Sequence, residues 1–347
     1  MIINKDFFIR QNPAYCPICY FYIRKLGNMK QIISFENENK SRKKSVLLKK
    51  IPQILCALLV VVFICFIFLL LKNLYTKKAA VINQIEKAWS DYNYEKIYEL
   101  GKPFLQENPY NNTVLTYYGY SCFFLAQSQI NDNSLTQQYL DECINKLRLA
   151  MYDADKKLLP QLQYMLGRAY FSKSALTNNC YSDLAIKYLL LAKDNGYVSN
   201  DIPEYLGLSY AALGLTMESI SAFSEALLNR ESDALLLSIA EQYYIANELS
   251  AAEQYLFRII KNSPNDEMIL KSQILLGNIY VDREDYEKAL KEFENVLEKY
   301  PNSADAHYGI GVIYEKQGNL VKARAEWRQT LKIQVNHQGA LQKLNSN

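Results

Sequence analysis

Downstream of residue 78, apolar residues recur at spacings of three and four, the period that lines one face of a helix. The pattern is clearest over Leu270–His337, which reads as two equivalent units joined without a gap. Gly277 and Gly311 are 34 residues apart, as are Tyr280 and Tyr314, Ala289 and Ala323, Phe293 and Trp327, and Leu297 and Leu331. The polar breaks Arg283–Asp285 and Gln317–Asn319 read as turns, so each unit predicts a helix-turn-helix pair. Small residues at the Gly and Ala positions let the two helices approach, and the aromatic positions fill the space around them. A fixed period of this length is the signature of a solenoid.

Leu276-Gly277, Tyr280, Tyr286, Ala289, Phe293 and Pro301 together resemble the tetratricopeptide repeat. The last unit is similar, with Val335 at the proline position. Projected backwards, the period recovers weaker units. Asp233–Asp266 keeps Ala240, Tyr243, Leu249, Ala252, Leu256 and Pro264. Asn200–Ser232 keeps Leu206-Gly207, Tyr210, Phe223 and Ala226, with Ser219 replacing the alanine. Pro160–Ser199 keeps Gly167, Tyr170, Ala185 and Leu189, with about six extra residues between its helices near Ser174–Cys180. Asn112–Leu159 keeps Gly119, Leu147 and Ala150, with about a dozen extra around Gln127–Thr136. Lys78–Asn111 is the poorest, with Ile85 and Ile97 at the small positions. The expected architecture is therefore all-α: an N-terminal transmembrane helix, then a tetratricopeptide-like solenoid of about seven repeats over 78–337, closed by a capping segment at 338–347.

Residues 1–50 form a short basic tail. Cys16 and Cys19 supply half of a zinc-ribbon spacing, and no second pair follows before the apolar run, so no metal site is expected. Met29 offers an alternative start, since the run after it is polar and then basic. Ile54–Leu71 is 18 consecutive apolar residues, extended upstream to residue 51, long enough to cross a bilayer. The run exceeds the apolar core of a cleavable signal and lacks a small-x-small site behind it. Neither Leu55-Cys56 nor Ile64-Cys65 fits a lipoprotein signal. Upstream positive charge (Lys40, Arg42, Lys43, Lys44, Lys49, Lys50) exceeds that downstream (Lys72, Lys77, Lys78, Lys87), which places the N-terminus inside. The expectation is a single-pass protein of a bacterial inner membrane with its repeats on the extracytoplasmic side.

Charge is uneven. Residues 1–77 hold 13 Lys and Arg against 3 Asp and Glu, or +10, and the remainder 26 against 33, or −7. A repeat domain at that balance is a poor polyanion binder, so nucleic acid is not expected as a partner. No nucleophile elbow, metalloprotease helix or paired His/Cys arrangement occurs. Gly309-Ile310-Gly311 lies inside a predicted helix and is no phosphate loop. His307 falls where a packing aromatic is common. The chain is expected to be no enzyme and to need no cofactor. Cys122 and Cys143 replace a core tyrosine and a core alanine of one helix pair. They read either as small buried apolar side chains or, in an oxidising compartment, as a disulfide.

The resemblance also implies a ligand-facing set, three residues before and one, four and five after the conserved Gly of each first helix. In the early repeats this set includes Tyr120 and Phe123, then Tyr164, Arg168 and Phe171. Further on it includes Leu208, Leu237 and Tyr244, and in the last repeats Ile274, Asn278 and Tyr308. A mostly apolar and aromatic face suits a peptide or helix with apolar anchors. Family members that clamp a terminal carboxylate use Lys with Asn. Asn278 matches, but Ile274 stands where Lys would be needed, so that activity does not carry over. The expected function is a membrane-anchored scaffold binding protein partners. The alternative is a membrane-tethered receptor, chaperone-like, for unfolded or incoming polypeptides.

Overall fold

The computed structural model describes residues 44–129, 131–177 and 181–346, and the chain divides into two compact units, Met1–Lys78 and Ala79–Asn347. Residues 1–43, with Cys16, Cys19 and Met29, lie outside the described residues, as does Cys180. Fifteen helices and no strands occur among the described residues. Helix α1 (Lys44–Ser90) contains the apolar run. Its part from Leu58 is long and apolar enough to cross a membrane by length and composition, with a window of mean hydropathy 2.6 of which none is buried. The expected span at 51–71 falls within α1.

Helix pairs follow. The end of α1 leads into α2 (Tyr94–Glu107), with Trp89 5.8 Å from Tyr94, and α3 (Asn112–Ser128) pairs with α4 (Asn133–Met151). Next come α5 (Leu159–Leu176) with α6 (Ser182–Asp194), and α7 (Ile202–Ala212) with α8 (Thr216–Asn229). The last pairs are α9 (Asp233–Ile245) with α10 (Leu249–Asn262), α11 (Asp266–Asp282) with α12 (Tyr286–Lys299), and α13 (Ala304–Lys316) with α14 (Leu320–Ile333). Helix α15 (Gln338–Asn345) closes the array over Ala323 and Trp327.

One small device repeats at the turns. Seven residues after the small position of the first helix, the backbone turns left-handed: Tyr92, Gly214, Asn247, Glu284 and Gly318 have φ between 55° and 81°. The next N–H then reaches back to the carbonyl five residues earlier, as in Asp285 to Tyr280 (2.9 Å) and Asn319 to Tyr314 (2.8 Å). This satisfies carbonyls that a helix end would otherwise leave without a donor. Side chains cap the following helices: Asp285 Oδ1 accepts from the Lys288 N–H and Asn319 Oδ1 from the Lys322 N–H (3.1 Å).

Close approach explains the small residues. A Cβ on Gly277 would lie 2.7 Å from the ring of Phe293, and one on Gly311 would lie 2.4 Å from the indole of Trp327. In both pairs, and in Gly207 with Phe223, the filler is sixteen residues downstream. Gly167 meets Leu189, twenty-two residues downstream, and Gly119 meets Leu147, twenty-eight downstream. These offsets recover the six and twelve extra residues read from the sequence, and most of them extend helices. Helices α3 and α5 each run about one turn further past their Gly than the other first helices, and α4 starts two turns early. Where Ser219 replaces alanine, its hydroxyl donates to the Gly207 carbonyl (2.8 Å) and stays fully buried. Cys122 and Cys143 are free thiols, both fully buried, which is the packing reading of that pair. Burial raises both thiol pKa values.

Candidate protein-binding groove

The first helices of successive repeats, α3, α5, α7, α9, α11 and α13, touch one another along the array, while the second helices α4, α6, α8, α10 and α12 each pack against the first helices of their own and the next repeat. A row held that closely is the inner side of a curved stack. The sequence-predicted residues all lie on these first helices, but the structure separates them into two groups.

Tyr120, Phe123, Tyr164 and Leu237 are buried, so they offer a partner little surface. Each is covered by a neighbour, from an adjacent repeat for Tyr120, Phe123 and Leu237 and from the end of its own repeat for Tyr164. Tyr120 packs 5.8 Å from Trp89 and its hydroxyl has no partner. Phe123 lies under the Arg168 guanidinium at 4.9 Å. Tyr164 stacks on Tyr197 at 4.5 Å and donates its hydroxyl to Asp201 Oδ2 (2.5 Å). Leu237 belongs to the core shared with Leu276 and Tyr280.

Arg168, Phe171, Leu208, Tyr244, Ile274, Asn278 and Tyr308 are half-buried and remain available on the inner row. Tyr244 donates to Asp282 Oδ2 (2.7 Å), and Tyr308 lies 4.8 Å from the His337 ring. Burial, and then the carboxylate each one binds, raise the pKa of the Tyr164 and Tyr244 phenols, so both stay neutral donors at physiological pH. His307 is held by Glu326 (2.7 Å) and the Pro301 carbonyl (3.3 Å).

The most built-up part of the row surrounds Arg168. Its guanidinium sits 4.9 Å from the ring of Phe123 on α3, 5.7 Å from that of Tyr164 on α5 and 5.3 Å from that of Tyr205 on α7. Three successive repeats therefore meet at one cation. Burial lowers its pKa, but Tyr164, Tyr205 and Asp201 more than compensate, so the group stays charged. Sequence reasoning missed Tyr205, Tyr197 and Asp201. Tyr205 and Asp201 are four residues apart, a helical spacing that puts them on one face, and that was the available signal.

The offset of sixteen residues between Gly and ring, the left-handed turn at the seventh residue and the row of first helices together define the repeat. Residues 274–334 match the family described as Tetratricopeptide repeat. Over 281 residues, 75% of this chain, it is 21% identical to the Anaphase-promoting complex subunit CDC16 of Saccharomyces cerevisiae, of which it spans 33%. Over 70 residues, 20% of this chain, it is 40% identical to the Uncharacterized protein ycf37 of Guillardia theta, of which it spans 39%. The chain thus covers well under half the length of these curated relatives. Among solved structures, the C-terminal part of a TPR repeat-containing protein from Cytophaga hutchinsonii aligns with 76% of this chain and 99% of its own, at a TM-score of 0.49 and 17% identity. Beyond the matched residues the helix pairs keep a tetratricopeptide-like geometry, with the same close approach at Gly119, Gly167 and Gly207.

Proposed function

We propose that the protein is a membrane-anchored tetratricopeptide scaffold that binds protein partners along the inner row of its first helices. The observation that carries this reading is the half-buried set Arg168, Phe171, Leu208, Tyr244, Ile274 and Tyr308, which leaves aromatic and aliphatic surface unfilled by the chain itself. Such surface gains free energy when a partner covers it, and a few large anchors supply most of that gain. The exposed apolar stretch of α1 supports an anchor. Leu59, Phe63 and Leu69 are each more than 60% exposed, a cost in water that a bilayer removes. The positive charge upstream of that stretch supports an N-terminus in the cytoplasm and repeats on the far side of a bacterial inner membrane. Confinement near partners raises the effective concentration of a weak binder.

Topology is tested by a reporter that is active only outside the cytoplasm, fused after Asn347. Activity is expected, and activity of a cytoplasmic reporter in its place refutes the orientation. Binding is tested by isolating the full chain in detergent with its partners. One or two stoichiometric partners, lost in Phe171→Ala and Tyr244→Ala, are expected. A broad set of unfolded chains refutes the scaffold in favour of the chaperone-like alternative.

A further inference from the structure

The Arg168 guanidinium is under-used within the chain. Its Nε is buried and has no acceptor, and Nη1 makes only a 3.5 Å contact to the Tyr164 hydroxyl. The two acidic residues at the start of α7 are committed elsewhere. Asp201 accepts from Tyr164 at 2.5 Å and from Ser199, and Glu204 pairs with Arg230 at 3.5 Å. No carboxylate lies within ion-pair distance of Arg168 among the described residues. A guanidinium is a rigid fork of donors that matches a carboxylate at two points, and such a bond strengthens when water is excluded. The rings of Phe123, Tyr164 and Tyr205 hold the fork in place before any ligand arrives, so little side-chain freedom is lost on binding. Phe171 lies 5.1 Å from Tyr205 and is half-buried, and Leu208 is one turn along α7.

We propose that Arg168 is the polar anchor of the groove and takes the side-chain carboxylate of an Asp or Glu in a partner peptide, beside a large apolar residue that rests on Phe171 and Leu208. The inner row continues past Arg168 in both directions, to α3 on one side and to α9, α11 and α13 on the other. A segment seated there runs through the site, which favours an internal acidic residue over a chain end. This inference rests on the groove reading above.

The test pans the full chain, in detergent micelles, against a displayed library of random peptides. Recovered peptides are expected to carry Asp or Glu next to Phe, Tyr, Leu or Ile. Changing that acid to its amide should weaken binding to the wild-type chain at least about tenfold. Arg168→Gln should weaken the acidic peptides by a similar factor, and Arg168→Glu should shift enrichment to Lys and Arg. The amide peptides need no altered protein, so misfolding of a variant cannot produce that result. Peptides without acidic enrichment, or affinities unchanged by the amide, overturn the inference. In that case Phe171→Ala decides the reading beneath it: weaker binding leaves the groove standing, and unchanged binding removes both. Recovery of no peptide contradicts both. A dimer of the chain alone that Arg168→Gln dissociates reassigns the site to a second copy and overturns the peptide proposal.

Discussion

Replacing Gly309 by alanine sets two effects of opposite sign against each other. The residue is inside α13, where Gly→Ala by itself adds about 1 kcal/mol of helix stability. The structure opposes this. A Cβ at Gly309 would lie 2.3 Å from Phe293 Cζ, 2.6 Å from Cε2 and 2.7 Å from Cε1. The ring has no free side, because a Cβ position on Gly277 is already 2.7 Å from its Cε1 and Cζ, and Phe293 is fully buried. Forcing a group into such a packed site costs about 3 kcal/mol at the upper end of overpacking. The packing term wins, and Gly309→Ala is expected to lose about 2 kcal/mol. Urea unfolding of the full chain in detergent, in a Trp89→Phe background so that the fully buried Trp327 is the one tryptophan, reads this by far-ultraviolet circular dichroism and by emission. In a solenoid the loss should be concentrated in the last repeats, so the Trp327 signal should move before the global one. Trimming the ring in Gly309→Ala with Phe293→Leu should recover part of the loss, a coupling expected of residues in contact. A Gly309→Ala protein as stable as the wild type, or more stable, would refute the idea that one ring locks two repeats together.

The turn device makes a paired prediction. Gly318→Ala at φ 81° should cost about 1–2 kcal/mol, whereas Glu284→Gly at φ 60° should be neutral or gain up to about 1 kcal/mol, both read from urea midpoints. Glu142 gives a pH dependence. It accepts from Tyr98 and Lys102, each at 3.1 Å, and from Tyr118. Burial works against its charge, but these bonds and Lys102 hold its pKa below the ordinary 4.5. A depressed carboxyl contributes stability that is present above the unfolded value and is lost as pH falls through the folded one. Glu142→Gln should therefore cost about 1 kcal/mol at pH 7, and the difference from wild type should shrink as pH falls below 4.5. An equal difference at both ends of that range would contradict the assignment.

How much of this was legible in the sequence follows from what repeats and what does not. Gly277 with Phe293 and Gly311 with Trp327 recur at one offset, so the helix pairs and their tight approach could be read directly. The extra residues near Gln127–Thr136 could be counted but not placed. About four residues add one turn, so an insertion of that size continues a helix as readily as it lengthens a loop. The groove was legible only by position. Projecting one repeat at a time identifies positions on one face of each first helix, of which Phe171, Leu208 and Tyr244 are half-buried. It does not show what the neighbouring repeat lays over that face, and so Tyr120 under Trp89 and Phe123 under Arg168 were indistinguishable from open positions. The cluster of three rings around Arg168 draws on three repeats at once, and no pattern within a single repeat encodes it.

The central claim is that partners are held on the inner row of first helices. A photo-crosslinking amino acid placed at Tyr244, in the row, and in a separate protein at Leu228, on a second helix and 87% exposed, tests it in living cells. The account predicts discrete crosslinked partners from position 244 and none from position 228. Crosslinks from position 228 with none from position 244 would contradict it.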